Sequence, residues 1–87
     1  MLGGGGAKPP LRRIHSDALY EQNSRARRSL EYHRTRTTEE IVESLLPGLP
    51  EGLRVKADGR IFQGNTRIKV LQERGYPINE LPREVIR

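Results

Sequence analysis

Eighty-seven residues, 33% of them apolar, with a net charge of +5, allow one domain at most and only a marginal core. The absence of cysteine excludes disulfides, thiolate zinc sites and cysteine-based redox or nucleophilic chemistry, and it fits a cytosolic protein. No apolar run approaches the roughly 18 residues that span a membrane, and Met1-Leu2 leads into Gly3 to Gly6 instead of the apolar core of a signal peptide.

The charge is unevenly placed. Residues 1–36 hold eight Lys and Arg against three acids, whereas residues 37–87 hold eight of each sign. A basic arm on a neutral body points to a polyanion as partner for the arm. A basic tail with no specific role is the alternative.

Residues 1–10 are expected to be a flexible lead, because four successive glycines cost entropy to order and Pro9-Pro10 block a helix start. In residues 11–36, Leu11, Ile14, Ala18 and Leu19 fall near helical spacing, but Leu30 has few apolar partners one turn away. A helix here needs packing to persist, so the segment is expected to be mostly disordered or loosely helical. The chain therefore divides into a flexible basic arm, residues 1–28, and a domain, residues 29–87.

From Thr37 the pattern sharpens. Thr37-Thr38-Glu39-Glu40 fits a capping box with Thr37 at the N-cap. Ile41, Val42, Leu45 and Leu46 follow as an apolar stripe, and Pro47-Gly48 stops the helix. Glu39, Glu40 and Glu43 suit the positive end of its dipole and read as a solvated face. Leu53-Arg54-Val55-Lys56 alternates as a half-buried strand does. Asp58-Gly59 is a hairpin turn signal, and Arg60-Ile61-Phe62-Gln63 reads as the returning antiparallel strand. Gly64 breaks that strand, and Asn65 is a good N-cap for a second helix. In that helix Ile68, Val70 and Leu71 face the sheet, while Lys69, Gln72 and Glu73 face water. Gly75 and Pro77 end it. Val85-Ile86 suggests a last short strand, which must start after Pro82 or lie at an edge.

Chemistry concentrates at Gly64-Asn65-Thr66-Arg67. A helix start offers unpaired N–H groups and a positive dipole end, where phosphates bind. Gly64 allows close backbone approach, Asn65 and Thr66 add side-chain hydrogen bonds, and Arg67 carries a two-pronged cation suited to phosphate oxygens. An ordinary strand-to-helix turn, with Arg67 paired to an acid, is the competing reading. The spacing Gly59-x-x-x-x-Gly64-Asn65-Thr66 mimics a P-loop but lacks its Lys, and its intervening residues form a strand.

Elsewhere the signals are thin. His15 and His33 lack neighbouring ligands, so no metal site is expected. His15, Ser16 and Asp17 are adjacent in sequence, which gives no triad geometry. Tyr20, Tyr32 and Tyr76 are too sparse for a base-stacking platform. Arg12, Arg13, Arg25, Arg27 and Arg28 suit salt-sensitive, non-specific contacts with a nucleic-acid backbone, DNA included.

The stretch Asp58 to Leu71, with Gly64-x-x-Arg67 as its turn, Ser44-Leu45 closing the preceding helix and Gly75 ending the next, resembles the ParB/sulfiredoxin superfamily over residues 37–87. The resemblance implies a small α+β domain: a short, mainly antiparallel sheet with two packed helices. It also implies nucleotide phosphate held at the turn, by Gly64 backbone approach, Asn65 and Thr66 lining, and Arg67 binding phosphate. CTP is the ligand in partition proteins. Sulfiredoxins carry a catalytic Cys after the Gly. Asn65 stands there in this chain, which excludes that activity. ParB proteins commonly have Glu-Arg where this chain has Asn65-Thr66, and these 87 residues do not include the helix-turn-helix domain of partition proteins, so sequence-specific DNA loading is not expected from them alone.

Three functions are open on these grounds. The first is a ParB-like module binding the phosphate of a nucleotide or nucleic acid, with no catalytic residues. The second is a protein-interaction or antitoxin-like module with a ligand-free turn. The third is a nucleotide hydrolase or phosphotransferase, which needs a carboxylate near Arg67, Glu39 or Glu40 being candidates, and a magnesium ion.

Overall fold

Thr37 and Glu40 cap each other as their spacing predicts. The Thr37 Oγ1 accepts the Glu40 N–H at 3.1 Å, and the Glu40 carboxylate accepts the Thr37 N–H at 2.9 Å. The helix they open is the third of four in this computed structural model, which describes residues 9–87. Expectations for residues 1–8, including the glycine lead, lie outside those described residues. In chain order the elements are α1 (Asp17–Gln22), α2 (Ser24–Arg34), α3 (Thr38–Ser44), β1 (Arg54–Val55), β2 (Ile61–Gln63), α4 (Asn65–Glu73), a 3₁₀ turn (Ile78–Glu80) and β3 (Glu84–Val85). The fold is a small α+β fold.

Ile41 and Leu45 are buried and Val42 packs against the core, but Leu46 is exposed. The predicted stripe stops short because the helix ends at Ser44, two residues before Leu46, so Leu46 is not carried onto the buried face. The strands form the order β2-β1-β3. β1 and β2 are antiparallel, pairing Arg54 with Gln63 and Val55 with Ile61 around a bulge. β3 lies parallel to β1, opposing Arg54 with Glu84, whose side chains approach to 3.4 Å as an ion pair. The sheet is thus mixed, where a mainly antiparallel one was expected. The long return through α4 lets β3 enter in the same direction as β1.

The segment expected as a flexible arm is built into the body. Leu11, Tyr20 and Leu30 are buried in the same cluster as Ile41, Leu53, Ile61, Ile68 and Leu71. The expected boundary at residue 28 falls inside α2. Asn23 caps α2 through its Oδ1, which accepts the Ala26 N–H at 2.9 Å. Ahead of α1, Arg12 pairs with the outer edge of β2, donating its N–H to Gly59 O and accepting the Ile61 N–H, both at 2.9 Å. Gly59 has φ +93°, and a Cβ there would lie 2.1 Å from the Pro10 carbonyl oxygen. The hairpin turn therefore needs glycine both for its backbone conformation and for the crossing chain. Leu11 N–H is accepted by Asn79 Oδ1 at 2.9 Å, fixing the start of the described chain to the 3₁₀ turn.

Packing explains why sequence periodicity misjudged this region. α2 offers a single buried aliphatic residue, Leu30, and α1 offers Tyr20. Neither helix has an apolar face wide enough to be recognised alone. Leu30→Ala should lower stability by about 2–5 kcal/mol, as expected for a buried leucine, measured by urea unfolding. Unchanged stability would place α2 outside the cooperative unit.

Candidate functional site

Gly64 sits at φ +117°, and a Cβ there would lie 3.2 Å from both Leu45 Cδ2 and Leu53 Cδ1. It turns β2 into α4 where a side chain would be both strained and crowded. Gly64, not Asn65, is the N-cap, and no side chain caps α4. The predicted capping role of Asn65 is therefore corrected: it is the first helical residue, and its side chain is 5% exposed. Its Oδ1 accepts the Ile14 N–H and its Nδ2 donates to Ile61 O, each at 2.9 Å. Thr66 Oγ1 lies 3.0 Å from the Tyr20 hydroxyl, tying α4 to α1.

Arg67 also differs from expectation. It is only 6% exposed. Its Nη1 donates to the carbonyl and hydroxyl oxygens of Ser44, both at 3.1 Å, and its Nη2 donates to Glu51 O at 2.6 Å. The guanidinium holds the C-terminal end of α3 and the loop that follows, pairing with carbonyls and a hydroxyl, where the first expectation leaves it free for phosphate and the competing one pairs it with an acid. Burial lowers its pKa, with Glu51 opposing and Arg36 assisting, yet an arginine stays charged at neutral pH.

These residues line an open cleft of about 280 Å³. His15 comes from the segment before α1, Ser29 and His33 from α2, Glu51 from the loop after α3, Phe62 and Gln63 from β2, and Gly64 to Arg67 from the start of α4. Gln63 fixes the cleft's rim, its Nε2 donating to Gly52 O at 2.8 Å and Pro50 O at 3.2 Å. The His33 pKa is lowered, first by burial and then by the charges of Arg67 and Arg36, against a smaller pull from Glu51. A neutral imidazole thus sits in a positive field.

Sequence reasoning set both histidines aside for lack of neighbours, and the fold brings them to one cleft. Helical spacing puts His33 on the same face of α2 as Ser29, four residues earlier, but nothing in sequence turned that face to the cleft. Nothing in sequence placed His15 or Glu51 there. Glu39 and Glu40 do not line the cleft. Glu40 is committed to the capping box, and Glu51 is the carboxylate beside Arg67. Among the described residues no three acidic, histidine or cysteine side chains form a group able to hold a metal ion.

The arm's arginines split into two sets. Arg12 pairs with Asp58 at 3.3 Å. Arg13 pairs with Asp17 at 3.1 Å. Arg27 donates to the carbonyls of Tyr20 and Glu21, covering the end of α1. Arg25 and Arg28 are exposed, and their side chains have no hydrogen-bond or ion-pair partner among the described residues. Among the described residues no helix is long and apolar enough to cross a membrane. Comparison of the chain with family models, curated proteins and solved structures found no match.

Because Arg67 is a buried tether, Arg67→Met should destabilise the fold by about 3 kcal/mol, chiefly by leaving buried carbonyl groups unpaired. A urea midpoint equal to the parent's would refute that role. His33 supplies a pH signature. Its folded pKa lies below its unfolded value near 6.5, so the unfolded chain takes up the proton first as pH falls. Its contribution is intact above about pH 6.5 and is lost below it. The drop in Tm between pH 7.5 and 5.5 should therefore be smaller in His33→Gln than in the parent.

Proposed function

We propose that the chain is a small ParB-like binding module that holds the phosphate of a nucleotide or nucleic acid in the cleft at the start of α4. The observation that carries this reading is the convergence of Ser29, His33, Thr66, Arg67 and the uncapped first turn of α4 on one cleft. Backbone N–H groups of that turn donate to phosphate oxygens, aided by the helix dipole. Arg67 contributes charge from beneath while its prongs stay on Ser44 and Glu51. Its bonds to Ser44 also link the two motifs on which the family resemblance rests, Ser44-Leu45 and Gly64-x-x-Arg67. Ser29 offers a hydroxyl. His33 answers the bound anion by taking up a proton, because a nearby negative charge favours the imidazolium.

Binding should accordingly strengthen as pH falls. An NMR titration of labelled protein with CTP, ATP and a short DNA duplex, in magnesium, should shift the Asn65 to Arg67 amides with at least one ligand and raise the His33 pKa. Static amides and an unmoved His33 pKa with all three would refute the proposal.

One observation favours a second reading, a protein-interaction or antitoxin-like module. The side chains of Asn65, Thr66 and Arg67 are all engaged within the chain, while Leu46 and Leu49 stand exposed after α3. The static outcome of the same titration would favour it.

A further inference from the structure

Outside the cleft, α2 presents two faces of different character. Arg27, Leu30, Glu31 and Arg34 lie together along one side, against α1 and Lys69. Arg25, Arg28, Ser29, Tyr32 and His33 fall on the opposite side by helical spacing, and Ser29 and His33 of that set line the cleft. This second face carries no acid. Its Arg25 and Arg28 lack partners among the described residues.

Two exposed rings flank the same cleft. Phe62, 56% exposed, lines it from β2. Tyr32, 60% exposed, meets the cleft-lining His33 edge-on, with ring centroids 5.1 Å apart. Each ring has a cation 5.8 Å from its centroid: Lys56 at Phe62 and Arg36 at Tyr32. The sequence spacing of the tyrosines alone hid this arrangement, because the second ring is a phenylalanine from a distant strand.

Phe62 stands more than half exposed beside a cleft whose lining holds Arg67, two histidines and the first turn of α4, with Glu51 as its one acid. Exposed rings, each with a cation over one face and continued by unpaired arginines, match what an unpaired nucleotide strand requires: a remaining face to stack on and charges for its backbone. A duplex keeps its bases stacked inside and cannot use the rings.

We infer that the cleft and the Arg25–His33 face of α2 bind single-stranded nucleic acid, with bases stacked on Phe62 and Tyr32, backbone phosphates on Arg25 and Arg28, and one phosphate in the cleft. This rests on the anion-binding reading of the cleft and names its ligand class.

The test is fluorescence anisotropy of the full chain with labelled 12-nucleotide oligo-dT and oligo-U, a 12-base-pair duplex and poly-glutamate competitor, between 50 and 200 mM salt. The single strands should bind at least fivefold more tightly than the duplex. Phe62→Ala should weaken single-strand binding at least fivefold, about the loss expected for one stacked base, with Tm confirming the fold. Arg25→Gln/Arg28→Gln should reduce the salt slope by about 1.4, for two single-strand phosphate contacts. Equal duplex affinity, an unaffected Phe62→Ala variant, or poly-glutamate competing as well as the oligonucleotides would each overturn the inference. A parallel titration with CTP and pyrophosphate separates the two readings. Shifts of the Asn65 to Arg67 amides without oligonucleotide binding would leave the phosphate cleft and remove the strand. Shifts with neither would remove both.

Discussion

Asn65 and Arg67 are buried in the first turn of α4, and buried polar side chains must find partners. Everything around that turn is arranged by their doing so. Asn65 reaches back to β2 through Ile61 and outward to the N-terminal segment through Ile14. Arg67 reaches across to the end of α3 and the loop after it. One turn of helix thus joins the sheet, the preceding helix and the N-terminal segment. The uncapped N–H groups of the same turn are left at the cleft, so the residues that stabilise the fold also shape the candidate site.

The N-terminal segment is where charge and packing exchange roles. A run of arginines looks like a solvated tail, and several of these arginines instead act as fasteners. Arg34 grips Glu73 with two hydrogen bonds, at 3.0 and 2.6 Å. Arg74 returns from α4 to the carbonyls of Arg34 and Arg36 at 3.1 and 2.8 Å, satisfying the end of α2. Lys69 meets Asp17 at 3.1 Å. Exposed pairs of this kind contribute little individually. They orient helices that Leu11, Tyr20 and Leu30 already anchor by burial. Arg25 and Arg28, left outside these pairings, are free for a ligand.

The candidate site was half legible. Gly64 and its turn, the buried face of α4 and the stop at Gly75 follow from local chemistry and are present, although Lys69, expected to face water, is covered by Asp17, Glu73 and the Tyr20 ring. The side-chain roles at the turn did not follow. Asn65 reads as an N-cap because its residue type favours that position, yet the Ile14 N–H and Ile61 carbonyl offer it two partners at once. Arg67 reads as a ligand-facing cation, yet the free carbonyls at the end of α3 lie within its reach. His15 and Glu51 join the cleft from segments with no periodicity to announce them.

What the sequence by itself determined is therefore local: the Thr37–Glu40 capping box, the Asp58-Gly59 hairpin, the break at Gly64 and the buried face of α4. Each depends on residues within one turn of helix or one tight turn of chain, where backbone sterics and capping act without outside help. Tertiary structure decided the rest. It folded residues 11–36 onto the body, ran β3 parallel to β1, buried Arg67 and gathered two histidines, a serine and a phenylalanine around one cleft. Those outcomes depend on contacts between residues far apart in the chain, and a single sequence carries no periodic signal for such contacts.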